Sequence, residues 1–431
     1  MILAHGIGGR SDLPIPLPVM VTGAAAVLAI TFLALGLLWT RPRFQDGPRY
    51  EGPGLPVPIG GFLAGLGLAG LLLVVGQLVP LLMGMERVST RATAAPVIVW
   101  VVAWLVIPFA SAFVGNWYAD INPWRTVARL FGVGNQERIG LPHTLGLWPA
   151  SVVFIAFAWF ELVSPRAGDP NTLGWAALGY SLFLLVAMAA TGRETGLALF
   201  DFLTPYNRLI SAISPLGRNR QGELVWRGWL RSLAAVPEWP GLWLFAVVMI
   251  GTVSYDGAAG TTWFRAITGN LGDTTIGRTF LLLATVNVVA LAYYSACVIA
   301  SSSSGRTWTL HRVAQRFAHT LVPIGLAYAI SHYFTLIFFE GQQLIAVLSD
   351  PFGLGWDLFG TADYRVRFFI RTSTPVWLSQ VAFIVGGHLV GVVLAHDRAL
   401  QDFGEGADRS QYAMLGLMIA LTSLALLILS G

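Results

Sequence analysis

Ten long apolar runs separated by short polar stretches cover most of the chain. They occupy roughly residues 17–39, 58–83, 96–115, 147–163, 173–191, 239–255, 278–300, 319–340, 375–396 and 412–430. At about 1.5 Å per residue, most of these runs reach across a hydrocarbon core of about 30 Å; the fourth and sixth are the shortest. The pattern predicts an all-α, polytopic membrane protein of about ten spanning helices, with residues 1–431 forming a single integral membrane domain. Composition agrees, since 55% of the residues are hydrophobic and only 11% charged, where soluble domains carry roughly a quarter charged residues.

The charges set an expected orientation. Every basic residue is arginine, and most of the 26 fall in alternate loops: Arg41, Arg43 and Arg49; Arg125, Arg129 and Arg138; Arg193 to Arg231; Arg306, Arg312 and Arg316; Arg398 and Arg409. The positive-inside rule then places both termini outside. Residues 1–16 become an external segment with no basic leader region, 192–238 an inner interfacial loop and 341–374 an outer loop. A net charge of +4 spread over short loops is a topology signal and gives no reason to expect nucleic-acid binding; the expected partner is the lipid bilayer. The lone Cys297 excludes an intramolecular disulfide and a cysteine-ligated cluster.

Several motifs concern packing. Gly61, Gly65 and Ala69 form a small-residue stripe on the second span. Asp120 and Asp201 each precede a Pro–aromatic pair and an arginine, as Pro123-Trp124-Arg125 and Pro205-Tyr206-Asn207-Arg208. This weak echo reads as two aspartate-initiated turns leading into helices that lie along the membrane face. His5, in the first segment, is a solvated tail residue or a terminal copper ligand. No Gly-x-Ser-x-Gly elbow frames a serine, and no phosphate-binding loop is present.

Candidate chemistry concentrates in the eighth and ninth spans and the loop between them. Four of the seven histidines lie there: His319, His332, His388 and His396. Ionisable groups at membrane depth are costly and usually mark working sites. On a straight helix His332 and Glu340 fall within about 80° of each other, while His319 lies about 140° from His332. Gly387, Gly391 and Ala395 form a second small-residue stripe, which His388 and His396 border. His388 and His396 are separated by about 12 Å along the axis, too far for one ion with bonds of about 2 Å. A single ion would therefore take one histidine from each span, such as His332 and His388, and further ligands from the loop. A haem between His332 and His388, with room for the ring at Gly387 and Gly391, is the other cofactor these residue types admit. The loop 349–374, rich in glycine and aromatics, reads as an ordered lid over the outer mouth of the helix pair, carrying Asp350, Asp357, Asp363, Arg365 and Arg367.

These residues also carry a resemblance. The segments His5-Gly-Ile-Gly-Gly-Arg-Ser-Asp-Leu-Pro14, Asn122-Pro-Trp-Arg125, His332-Tyr-Phe, Gly341-Gln342, Asp350-Pro-Phe-Gly, Trp356-Asp-Leu-Phe-Gly-Thr-Ala-Asp-Tyr364, Gly387-His388 and Leu394-Ala-His396 run from end to end of the chain. Together they resemble a family of bacterial, mainly actinobacterial, polytopic membrane proteins often labelled fenitrothion hydrolase. The resemblance implies an inner-membrane enzyme that cleaves a small apolar phosphotriester. On that reading His332, His388, His396 and His319 are the metal-ligand candidates. Glu340, Asp350 and Asp357 are the catalytic carboxylates, and Arg365 or Arg367 stabilises developing charge. Two other expectations stay open: a proton-coupled transporter in which histidines and Glu340 relay protons, and a non-catalytic subunit of a membrane redox or copper-handling complex.

Overall fold

A computed structural model describes residues 15–44, 47, 51–55, 59–87, 93–219, 221–303, 309–368, 373–404 and 407–431. The expected roles of His5, its Gly-rich segment, Arg49, Arg220 and Arg306 lie outside the described residues.

Ten helices are long and apolar enough to cross a membrane: Leu17–Leu38, Gly60–Leu82, Ala94–Val114, His143–Leu162, Pro170–Thr191, Leu242–Ala259, Thr275–Ser302, Leu310–Glu340, Thr374–Phe403 and Ser410–Ser430. They correspond one to one with the ten apolar runs, and several extend past the apolar stretch at one end. The protein is a multi-pass α-helical membrane protein. Phe32, near the end of the first span, packs on Tyr412 at the start of the tenth with ring centroids 5.6 Å apart. These two spans are therefore antiparallel, and Leu17 and Ser430 share one end of the bundle.

The sixth and eighth spans form its centre. In each, 72% of the most apolar stretch is buried, against 17% in the first span. The sixth packs on the fourth, seventh, eighth and tenth; the eighth packs on the third, sixth and ninth. Large apolar side chains such as Leu37, Val186, Phe280 and Leu291 point outward from peripheral helices, as a lipid-facing surface requires. The third span winds as a wide π-helix over Val97–Val106, which presents Trp100 and Trp104 inward.

The eighth and ninth spans approach closely because of glycine. A Cβ at Gly387 would meet Ala327 and stand 2.7 Å from the Pro323 carbonyl oxygen; one at Gly391 would stand 3.1 Å from the carbonyl oxygen of Thr320. Ser331 and Gln380 then exchange hydrogen bonds across the pair: Ser331 Oγ donates to the Gln380 carbonyl at 2.9 Å and Gln380 Nε2 to the Ser331 carbonyl at 2.7 Å. The second-span stripe does not serve in the same way, since Gly61 and Gly65 face open space and the close approach is made by Gly67 against the Ile121 backbone.

The 192–238 loop is partly helical and partly strand. It holds the helices Arg193–Phe200, Leu203–Ser211 and Arg231–Ala234, and also a hairpin of Leu216–Arg218 with Leu224–Trp226. Glu51–Leu55 pairs antiparallel with the second hairpin strand, making a three-stranded sheet. Short strands with few alternating residues carry little periodicity, which is why this sheet has no signature in the apolar pattern.

Replacing Gly387 by alanine is expected to destabilise the protein by about 1–3 kcal/mol, because the added methyl overpacks against backbone that cannot give way. Gly386→Ala, whose Cβ would meet nothing within 4 Å, is the control. Thermal unfolding in detergent measures both; equal midpoints would contradict the packing described.

Candidate functional site

The polar centre of the bundle is built on an aspartate at the end of the sixth span. Asp256 follows eleven consecutive buried residues of that helix, Phe245 to Tyr255, and its side chain is only 7% exposed. One of its oxygens, Oδ2, accepts a hydrogen bond from Tyr333 Oη at 2.7 Å and lies 2.9 Å from His332 Nε2. Consecutive residues of the eighth span thus grip the same oxygen from two sides. That pairing assigns the imidazole proton to Nε2, facing the carboxylate. Next to Asp256, Gly257 lets the tenth and eighth spans close on the sixth: a Cβ there would stand 2.6 Å from Ile428 Cγ2 and 3.2 Å from Tyr328 Oη, with His332 Nδ1 at 3.6 Å.

A second carboxyl enters from the fourth span. Glu161 is within electrostatic reach of Asp256, Tyr333 and Tyr206. The indole nitrogen of Trp104 approaches the Tyr333 hydroxyl without completing a hydrogen bond, and Tyr328 Oη stands near Ser254 in the same way. Two carboxyls, an imidazole and two phenols therefore meet among three helices, two of which are the most enclosed of the bundle. Removing water strengthens each of these interactions and raises the cost of leaving any group unpaired.

The four predicted histidines occupy separate places. Ser331 lies level with Gln380 and Ala327 with Gly387, so His388 sits opposite the Pro323 region, about 12 Å along the axis from His332. His388 Nδ1 bonds to its own helix at the Ile384 carbonyl, 2.8 Å away, and Nε2 is buried without a hydrogen-bond partner. His396 is a structural tie: Nδ1 lies 2.6 Å from Gln411 Oε1 and Nε2 2.8 Å from the Trp39 carbonyl. Asp397 completes that tie by accepting from Trp39 Nε1 and from the backbone N–H groups of Arg43 and Phe44. His319 Nδ1 pairs with the Arg316 carbonyl at 2.9 Å. Among the described residues no three His, Cys, Asp or Glu side chains lie together as ligands of one metal ion. The haem expectation meets a steric objection as well, because the eighth span fills the space at Gly387 and Gly391 that a ring would need.

The predicted carboxylates are equally dispersed. Glu340 accepts from Gln343 Nε2 and lies eight residues, about 12 Å, along the helix from His332. Asp350 accepts the backbone N–H groups of Leu354 and Gly355 at 2.8 and 2.9 Å, and Asp357 that of Ala362 at 2.9 Å. Both are turn-forming residues. Arg365 is exposed. The start of the loop, residues 350–352, docks toward the second, third and fifth spans. Arg87 organises that dock, donating to the Phe352 carbonyl, Asn171 Oδ1 and the Gln77 carbonyl, while Gln77 Nε2 donates to the Pro351 carbonyl. Burial pulls the Arg87 guanidinium below its ordinary range, and Asp169 opposes the shift.

The two Asp-Pro-aromatic segments are partners. Asp201, fully buried, accepts from Tyr118 Oη, Asn122 Nδ2, Tyr180 Oη, Thr204 Oγ1 and the Leu203 N–H. Burial pushes its carboxyl upward, and the hydrogen bonds from Thr204, Tyr180, Tyr118 and Leu203 oppose this. Asp120 instead pairs with Arg218 at 2.5 Å.

No protein-family model, curated protein or solved structure matches this chain.

Tyr333→Phe is expected to cost about 1–3 kcal/mol, since it leaves a buried carboxylate oxygen one donor short. A double-mutant cycle with Asp256→Asn, read by thermal unfolding, should show strong coupling; simple additivity would dissolve the cluster as an energetic unit. Separately, Arg87→Met is expected to raise hydrogen exchange at residues 350–356 while leaving the eighth span protected. An unchanged loop would show that Arg87 does not hold it.

Proposed function

We propose that this protein is a proton-coupled transporter in a bacterial inner membrane, with both termini outside and Asp256 as its principal proton-binding group. The observation that supports this most is the shared Asp256 oxygen, held by His332 and Tyr333 at the interface of the two most enclosed helices. Proton uptake at a pair of neighbouring carboxyls relieves their mutual repulsion. It also changes what Asp256 offers to the eighth span, from an acceptor of two donors to a group with a proton of its own. Contacts between the sixth and eighth spans thereby become sensitive to protonation, which is what coupling a proton to a helix movement requires. Glu161 is the second proton-binding group, and Tyr333 passes protons between the two.

Carbodiimide labelling tests the reading, because the reagent attacks protonated carboxyls in apolar surroundings. Labelling of the Asp256 peptide in membranes should fall as pH rises, disappear in Asp256→Asn and shift its pH dependence in His332→Gln. Reconstituted vesicles carrying a trapped pH dye should lose solute-driven proton movement in Asp256→Asn. Labelling independent of pH, or proton movement unchanged in the variant, would overturn the proposal.

One feature favours a second reading, hydrolysis of an apolar organophosphate ester as the family resemblance implies. Asp256 engages His332 Nε2 and leaves Nδ1 directed at the Gly257–Tyr328 side, the arrangement of a carboxylate-oriented general base. Such a base would remove a proton from water attacking phosphorus. Release of the phenol from an aryl dialkyl phosphorothioate, abolished in both His332→Ala and Asp256→Asn, would favour this reading over transport.

A further inference from the structure

At the end of the bundle opposite the termini lies a cavity of about 310 Å³. It is bounded by the 234–238 segment, Phe44, the start of the eighth span and the end of the ninth. Its polar lining is uneven in a way that describes a ligand. Arg316 is committed to Asp402 and Glu238. Asp397 is occupied by Trp39 and the 43–44 backbone. Arg398, by contrast, donates among the described residues only to neutral acceptors, Gln401 Oε1 at 2.8 Å and the Ala234 carbonyl at 2.6 Å. Its charge lines the cavity with no carboxylate in direct contact, and Asp402, Glu238 and Asp397 act on it only from a distance. His319, 3% exposed, also lines the cavity. Because its Nδ1 is engaged by the Arg316 carbonyl, its Nε2 is a lone-pair acceptor, and that atom is buried with no hydrogen-bond partner among the described residues. A buried acceptor left unpaired is costly.

We propose that this cavity binds a hydroxyl-bearing phosphate ester, with its phosphate on Arg398 and a hydroxyl donating to His319 Nε2. A bare anion would satisfy Arg398 and leave the histidine unpaired, while also facing the Glu238 and Asp397 carboxylates. A polyol phosphate offers a donor on the acceptor-rich side and an anion on the cationic side. The volume matches the lower range of small-ligand pockets, roughly 300–1,000 Å³. The same chemistry is presented by the glycerol phosphate headgroup of an anionic lipid and by a free polyol phosphate. This site is separate from the Asp256 cluster and does not depend on the transport reading.

Glycerol 3-phosphate, inorganic phosphate and glycerol are the soluble probes, titrated against the detergent-purified full chain with thermal unfolding as the readout. Native mass spectrometry from nanodiscs of phosphatidylglycerol or phosphatidylcholine distinguishes the lipid source. Glycerol 3-phosphate or phosphatidylglycerol should bind the wild type, and inorganic phosphate should bind at least about tenfold more weakly, a difference of about 1.4 kcal/mol. Arg398→Gln and His319→Phe should each weaken binding by a similar factor. Arg398 is only partly buried, so its variant keeps the test decisive if the histidine variant does not fold. Retention of phosphatidylglycerol without response to glycerol 3-phosphate assigns the site to lipid, and the reverse assigns it to a free solute. Binding indifferent to Arg398→Gln, equal binding of inorganic phosphate, or no binding of either source would overturn the proposal.

Discussion

A charged or strongly polar side chain inside an apolar helix bundle has to be satisfied by other side chains, because no bulk water reaches it. That constraint explains where the helices of this protein meet. Asp256 binds the sixth span to the eighth through His332 and Tyr333. Asp201 binds the segments after the third and fifth spans through its tyrosine, asparagine and threonine donors. Asp397 and His396 bind the end of the first span to the ninth and tenth. Arg87 and Gln77 fasten the long loop to the second and fifth spans. Apolar packing supplies area without direction; these few polar ties choose the partners and the register.

The ties differ in how much freedom they leave. Asp201 accepts from five groups, and such a saturated carboxylate is a fixed structural post. Asp256 has His332 and Tyr333 on one oxygen and a second carboxyl, Glu161, within electrostatic reach, so on the proposed reading a change in its protonation alters the contacts of two central helices. Position adds to the contrast. Asp201 lies beyond the ends of the spans, whereas Asp256 sits within the sixth. The difference between a saturated carboxylate and one poised beside a second carboxyl is the physical basis for placing function at Asp256.

Each apolar run of the sequence marks one of the ten helices, and the glycines of the ninth span announce its close contact with the eighth. His332 was identifiable from its depth alone. Its partner was not, because the apolar run of the sixth span gives out near Tyr255 while the helix continues to Ala259, so Asp256 reads as the first residue of a loop. Glu161 carries the better signal, as a carboxyl inside the fourth apolar run. Histidine density is a poor guide to proximity for a plain reason. Four histidines on two neighbouring helices look clustered in sequence, but an antiparallel pair places residues near opposite ends of each helix at different depths. The partners of His396, His319 and Asp350 are backbone groups or distant side chains, which no spacing along the chain encodes.

Infrared difference spectroscopy of the reconstituted protein across a pH titration addresses the protonation of Asp256 most directly. The account predicts a protonated-carboxyl carbonyl band that appears and disappears with pH, is lost in Asp256→Asn and is perturbed in Tyr333→Phe. A band unaffected by Asp256→Asn would contradict it, as would a carboxyl that keeps one protonation state throughout the stable range.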